Sequence, residues 1–310
     1  MIWIDRHRQE LEAVFKEAEA VVSRLPAPFD SMGKRYLDKF TILNEDSTKN
    51  YICYLLPYWL QPLTGLQPRE CSKLSLAGIF DMLYFFLADD VIDDGGAGAR
   101  QKLTLGHLIH LEQLRLYQEL FHSESPIWDY YRKYSMEWAH AVLHENERDY
   151  FAQETNKLAH KASPVKLTAT ACLMLSDRAD RIAELEKLVD HVLTTLQLVD
   201  DWIDWEDDLK GDTYNALLAM VRTILPEDEW YSVPAIRRLV CDRGLFERYA
   251  EEAVNHHLTW SSEGSDLEEL RAFDRFLAYS LVRDVAIMNE EKRQLTHGGI
   301  FYYLSKNLAK

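Results

Sequence analysis

The sequence predicts an all-α fold. Apolar residues recur at the helical period along almost the whole chain, prolines fall between the periodic segments, and no stretch alternates in the manner of a strand. In chain order, the period first marks residues 14–25, which end at Pro26-Ala27-Pro28. Residues 46–59 follow, then a loop carrying Pro62 and Pro68. Residues 71–94 form a long apolar helix that stops at Gly95-Gly96, and 103–122 end before Ser125-Pro126. Ser-Pro at a helix start places a capping hydroxyl beside a residue that needs no amide partner. Ser125-Pro126 therefore opens 128–155, and Ser163-Pro164 opens 165–176. The second long helix, 181–209, stops at Gly211, and 215–225, 233–241, 245–260, 267–294 and 301–307 complete the series.

The chain has 310 residues, enough to bury a large core, and is read as one domain, 1–310. Its hydrophobic content of 47% excludes wholesale disorder. A formal charge of −16 argues against nucleic acid and requires any anionic ligand to be drawn in locally, by metal ions or a few Arg and Lys. Cys53, Cys71, Cys172 and Cys241 contain no Cys-x-x-Cys pair and read as small core residues in a reducing compartment. The first twenty residues are charged throughout, and the apolar run at 76–88 is interrupted by Asp81 and is too short to span a bilayer. These features lead to the expectation of a soluble, cytoplasmic protein without stable membrane insertion.

Chemistry concentrates in two aspartate clusters, Asp89-Asp90-Val91-Ile92-Asp93-Asp94 and Asp200-Asp201-Trp202-Ile203-Asp204-Trp205-Glu206-Asp207-Asp208. Each follows an apolar approach. On a helix, residues three or four apart share a face, and carboxylates about 5 Å apart repel by roughly 3 kcal/mol at an effective dielectric near 20. Such clusters call for cations. A stripe of oxygens such as Asp200, Asp204 and Asp208 suits Mg²⁺, which binds one or two carboxylates together with substrate phosphates. No nearby His or Cys has zinc-ligand spacing, and the clusters do not form an EF-hand loop. Two acidic helix ends facing one another across an apolar cavity would hold two or three Mg²⁺ ions on a diphosphate and polarise its ester oxygen. Tyr84, Phe85 and Phe86 lie about one turn before Asp89, and Trp202 and Trp205 flank Asp204, so aromatic faces stand ready for a prenyl chain and a carbocation. Phe85 is the chosen pocket residue.

These residues resemble the class I isoprenoid synthases, which comprise trans-isoprenyl diphosphate synthases and class I terpene synthases. Asp89-Asp90-Val91-Ile92-Asp93 matches their DDxxD motif, and Leu198-Val199-Asp200-Asp201-Trp202-Ile203-Asp204 is similar to the second aspartate-rich motif of the chain-elongating branch. The resemblance implies a bundle of antiparallel helices around a central apolar cavity, with metal held by Asp89, Asp90, Asp93, Asp94, Asp200, Asp201, Asp204 and Asp208. It also implies a prenyl diphosphate substrate and a possible homodimer.

Asp200, Asp204 and Asp208 also fall on the N-x3-S-x3-E positions of the cyclases, and Gly211-Asp212-Thr213-Tyr214-Asn215 resembles the Gly-Asp-x-x-Asn that follows them. The adjacent arginines that elongating enzymes carry after DDxxD are replaced by Gly98 and Ala99, with Arg100 beyond. Gly33-Lys34-Arg35 and Lys166 with Thr168 resemble elongating-branch elements that bind diphosphate. Arg178, Arg181 and Arg283 are candidates for sensing diphosphate, since Arg presents a fork of donors. The favoured reading is a Mg²⁺-dependent terpene synthase with Asp89, Asp90, Asp93, Asp200 and Asp204 catalytic, and Phe85, Lys166, Arg178, Arg181, Trp202, Asn215 and Arg283 binding substrate. The alternatives are a trans-prenyltransferase that adds an acceptor such as isopentenyl diphosphate, and a non-catalytic acidic helical protein.

Overall fold

The computed structural model describes residues 2–94, 96, 98–147, 151, 155–260 and 267–308. Side chains of 2–3, 93–94, 155–156, 260 and 296–308 lie outside the description. Regular structure among the described residues is entirely helical, without a strand. The chain divides into two compact units, one of residues 1–142, 160–189 and 264–270, the other of 143–159, 190–263 and 271–310. No helix among the described residues is long and apolar enough to cross a membrane.

The first unit is organised around the helix Pro68–Asp94, which packs against Arg8–Val22, Tyr51–Trp59, Ala99–Gln118 and Lys166–Leu175. Its apolar residues encircle the axis, the pattern of a helix buried on every side. Leu74, Leu76, Ile79, Phe80 and Leu83 are at most 1% exposed. Each contributes about 2 kcal/mol on burial. Cys53, Cys71 and Cys172 lie in this core as free thiols, and Cys241 is half-buried.

Pro57 departs from the expected placement of prolines at boundaries, since it lies inside the helix Tyr51–Trp59. Lacking an amide hydrogen, it leaves the Cys53 carbonyl without the usual helical donor. Gly78 of the central helix crosses at that carbonyl, so closely that a methyl group on Gly78 would overlap the Cys53 oxygen. The same helix starts at Tyr51 rather than at residue 46. Lys49 Nζ donates to the carbonyls of Asn44, Glu45 and Ser47 at 2.6, 3.2 and 2.7 Å. This local network competes with helical hydrogen bonding.

Other boundaries also moved. The segment expected at 128–155 is the helix Ile127–Leu143 followed by a short turn of 3-10 helix, Glu145–Glu147. Ser125 does accept weakly from the Ile127 amide, at 3.4 Å. Ser163 is no cap: it lies in the 3-10 segment Thr155–Val165, and its hydroxyl donates to Glu137 at 2.8 Å. The helix Phe29–Leu37 was not anticipated, and 267–294 and 301–307 are parts of one helix, Glu268–Leu308, that continues through Gly298-Gly299. A helical glycine costs about 1 kcal/mol relative to alanine without removing its backbone hydrogen bonds.

The second unit packs around the later part of the helix Ile182–Gly211. Leu198, Trp205 and Leu209 project at helical spacing into a core with Ala216, Leu217, Leu218, Phe246 and Tyr249. The Tyr249 hydroxyl donates to the Leu198 carbonyl at 2.8 Å, which satisfies the phenol in this apolar setting.

Candidate functional site

The first acidic cluster closes the central helix of the first unit. Asp89 and Asp90 are half-buried, and each carboxylate already receives protein donors. Trp138 Nε1 donates to Asp89 Oδ1 at 3.2 Å. The Tyr36 hydroxyl donates to Asp90 Oδ2 at 3.3 Å, and Lys102 Nζ lies 3.1 Å from the same oxygen. Burial first, and the Asp90 charge second, hold the Tyr36 phenol well above its ordinary value. The side chains of Asp93 and Asp94 lie outside the described residues.

Asp89 borders a cavity of about 60 Å³ whose wall includes Asp81, Phe85, Phe86, Lys161 and Thr168. Phe85 packs edge-on against both Tyr84 and Trp138, with ring centres 4.9 and 5.0 Å apart. Phe86 packs against Phe40, while Tyr84 stacks on His110 and is absent from the lining. Of the three aromatics before the motif, Phe85 and Phe86 therefore face the cavity.

The second cluster divides by helical face. Asp200 and Asp204 are exposed and Asp208 is half-buried, whereas Asp201 is 2% exposed. Asp201 accepts from the Ala216 amide at 2.7 Å and from Gln197 Nε2 at 2.8 Å, so its carboxylate fastens the start of the helix Ala216–Arg222. Burial first, and the neighbouring Asp207 charge second, raise the Asp204 carboxyl above its ordinary value.

Asn215 caps the helix Ala216–Arg222, accepting from the Leu218 amide at 3.1 Å. Its amide nitrogen donates to the Asp201 carbonyl at 2.7 Å and to Asp208 Oδ2 at 2.8 Å. It is thus a positioning residue for Asp208. Trp202 stacks on Phe246 with ring centres 3.4 Å apart, and Trp205 is buried in the second unit's core.

The candidate cations are engaged elsewhere. Lys166 is 2% exposed, pairs with Glu137 Oε2 at 2.7 Å and lies 5.1 Å from the Tyr134 ring centre. Arg178 donates to the Leu63 carbonyl at 3.4 Å, Arg181 Nη2 donates to Glu184 Oε1 at 2.8 Å, and Arg283 is exposed beside Asp284. Lys34 lies 4.0 Å from Glu19. Sequence reasoning missed Tyr36, Lys102 and Trp138 around the first cluster, since nothing local in 36, 102 or 138 marks them as neighbours of Asp89 and Asp90.

Among the described residues, no three His, Cys, Asp or Glu side chains gather as a protein-built metal cage. Magnesium does not demand one: it takes one or two carboxylates and completes its octahedron with water and phosphate oxygens. Asp89, which lines the cavity of the first unit, and Asp204, crowded by Asp207 in the second, are each carboxylates of the type that magnesium accepts. No protein-family model matches the chain, and no curated protein matches it.

Proposed function

We propose that this chain is a Mg²⁺-dependent class I terpene synthase, which ionises a linear prenyl diphosphate and releases a terpene and diphosphate. The observation that carries the reading is the placement of Asp89 on an aromatic-walled cavity, in the same helical turn as Asp90. The second motif favours a cyclase over an elongating enzyme. Asp201, needed for an Asp-Asp-x-x-Asp ligand set, is committed to the fold, while Asp200, Asp204 and Asp208 remain on one stripe. The missing arginine pair after the first motif points the same way.

Asp89 and Asp90 of the first cluster, and Asp200, Asp204 and Asp208 of the second, are the residues assigned to hold metal. Bound Mg²⁺ would supply Lewis-acid polarisation of the diphosphate ester. The remaining work falls to the chain. Trp138 and Tyr36 fix the Asp89 and Asp90 carboxylates through hydrogen bonds, and Lys102 balances charge beside Asp90. Phe85 and Phe86 exclude water and offer π faces to a cation. The 60 Å³ cavity has the volume of about two water molecules. A prenyl chain therefore requires side chains along this wall to move on binding.

The test is incubation with prenyl diphosphates of about ten to twenty-five carbons and Mg²⁺, each with and without isopentenyl diphosphate. Hydrocarbon or terpene alcohol released without the acceptor supports the proposal. A longer diphosphate formed only with the acceptor assigns the chain to the prenyltransferases instead, and silence with every substrate removes both.

A further inference from the structure

The apolar run before the first motif contains one residue that the ionisation chemistry leaves unused, Asp81. It lies eight residues before Asp89, about 12 Å down the helix axis, and both side chains border the same cavity. Asp81 is 4% exposed. A carboxyl group so buried requires a reason, because an apolar side chain of similar volume would fill the space at lower cost. It is also well equipped with partners. The Tyr117 hydroxyl donates to Oδ2 at 2.9 Å, and Gln113 Nε2 donates to Oδ1. Tyr117 lies 3.4 Å from the Thr168 hydroxyl, and Gln113 Oε1 lies 2.8 Å from His110 Nδ1.

We infer that Asp81 is a proton-exchanging catalytic residue of this cavity, which protonates a carbon–carbon double bond of the bound hydrocarbon and later recovers a proton from the resulting carbocation. This inference rests on the terpene synthase reading above.

Two opposing influences suit Asp81 to that task. Burial drives its carboxyl well above the ordinary carboxylate range and so favours the neutral acid, while the Tyr117 and Gln113 hydrogen bonds favour the anion formed when the proton leaves. Burial also pushes the Cys53 thiol up to about 12 and the Tyr117 phenol well above its ordinary value.

The step balances without a co-reactant. Ionisation and loss of one proton to the departing diphosphate give a neutral olefin. The Asp81 O–H bond then breaks as the olefin π pair forms a C–H bond, leaving a carbocation at the more substituted carbon and a carboxylate at Asp81. That carboxylate removes a proton from a carbon beside the cation, a new double bond forms, and Asp81 returns to its acid form.

A single turnover in D₂O tests this. Enzyme in excess over the prenyl diphosphate, equilibrated with D₂O before Mg²⁺ is added, is expected to give hydrocarbon carrying one deuterium per molecule by mass spectrometry. Asp81→Asn is expected to release an unlabelled, less processed olefin. Should Asp81→Asn fail to fold, Tyr117→Phe removes a donor to the carboxylate and is expected to lower the label about threefold. Unlabelled hydrocarbon from the unaltered chain, or full label from either variant, overturns the role of Asp81 and leaves the terpene synthase reading standing. Failure to release diphosphate from any substrate removes that reading, and this inference with it.

Discussion

Individual side chains carry the sharpest consequences. Asp90 and Asp204 are assigned to metal, so Asp90→Ala and Asp204→Ala are each expected to lower turnover about a thousandfold, roughly 4 kcal/mol in the barrier. Far-ultraviolet circular dichroism and the melting temperature should show the fold retained, and wild-type turnover in either variant would remove that residue from the mechanism. Phe85 bears on substrate size. Phe85→Ala costs about 3–5 kcal/mol of stability through the lost ring, and the space gained should shift preference toward longer prenyl diphosphates in competition assays. Histidine 191 belongs to a different part of the chain and speaks to pH. It stacks on His256 with ring centres 3.8 Å apart, and its Nε2 lies 3.7 Å from the buried Asp274, which also approaches His257 Nδ1 at 2.6 Å. Burial first, and the His256 charge second, depress the His191 imidazole to about 4. The unfolded residue takes its proton near 6.5. Between those values the unfolded state holds more protons, so stability is fully present above about 6.5 and is lost as pH falls toward about 4. Urea midpoints at about pH 7 and pH 5 should therefore differ more in the unaltered chain than in His191→Gln. Equal differences would assign the acid sensitivity to other groups.

At the level of the helix, close approach sets the strictest requirement. Gly78→Ala would drive a methyl group into the Cys53 carbonyl, a backbone atom that cannot rotate away. Loss of about 3 kcal/mol or more in chemical denaturation is expected, and a near-neutral variant would show that the two helices can separate without penalty. What the sequence discloses about helices follows the same physics. The apolar period identified the long helices ending in Asp94 and Gly211, because a buried helix must carry its own pattern and each ends in groups that favour water or a cation. It misplaced the start of Tyr51–Trp59, where Lys49 ties down preceding carbonyls, and the expectation that prolines fall between helices failed at Pro57, whose freed Cys53 carbonyl meets Gly78 of another helix. Long-range partners decided the site residues as well. Asp81 was visible only as an interruption of an apolar run; its donors, Gln113 and Tyr117, lie more than thirty positions away. Lys166 and Arg178 look identical to ligand-seeking cations until Glu137 and the Leu63 carbonyl are placed beside them.

Charge is a property of the whole molecule. A net charge of −16, with carboxylates crowded at two helix ends, means that folding concentrates like charges that the unfolded chain keeps apart. Two kinds of cation relieve this differently. Sodium chloride screens without choosing a site, shortening the Debye length from about 30 Å at 0.01 M to about 10 Å at 0.1 M. It should raise the melting temperature of the unaltered chain and of an Asp90→Ala/Asp204→Ala double variant in similar measure. Magnesium at matched ionic strength adds specific binding, which stabilises by about 2.7 kcal/mol at a hundredfold excess over the dissociation constant. That extra stabilisation should appear in the unaltered chain, shrink in the double variant and increase when inorganic diphosphate is added, since phosphate oxygens complete the coordination that carboxylates begin. If magnesium and diphosphate together raise the melting temperature no further than matched sodium chloride, the acidic helix ends are solvated surface and the assignment of metal to Asp89, Asp90, Asp200, Asp204 and Asp208 fails. If the increase survives intact in the double variant, metal binds elsewhere, and the search moves to carboxylates outside the two clusters.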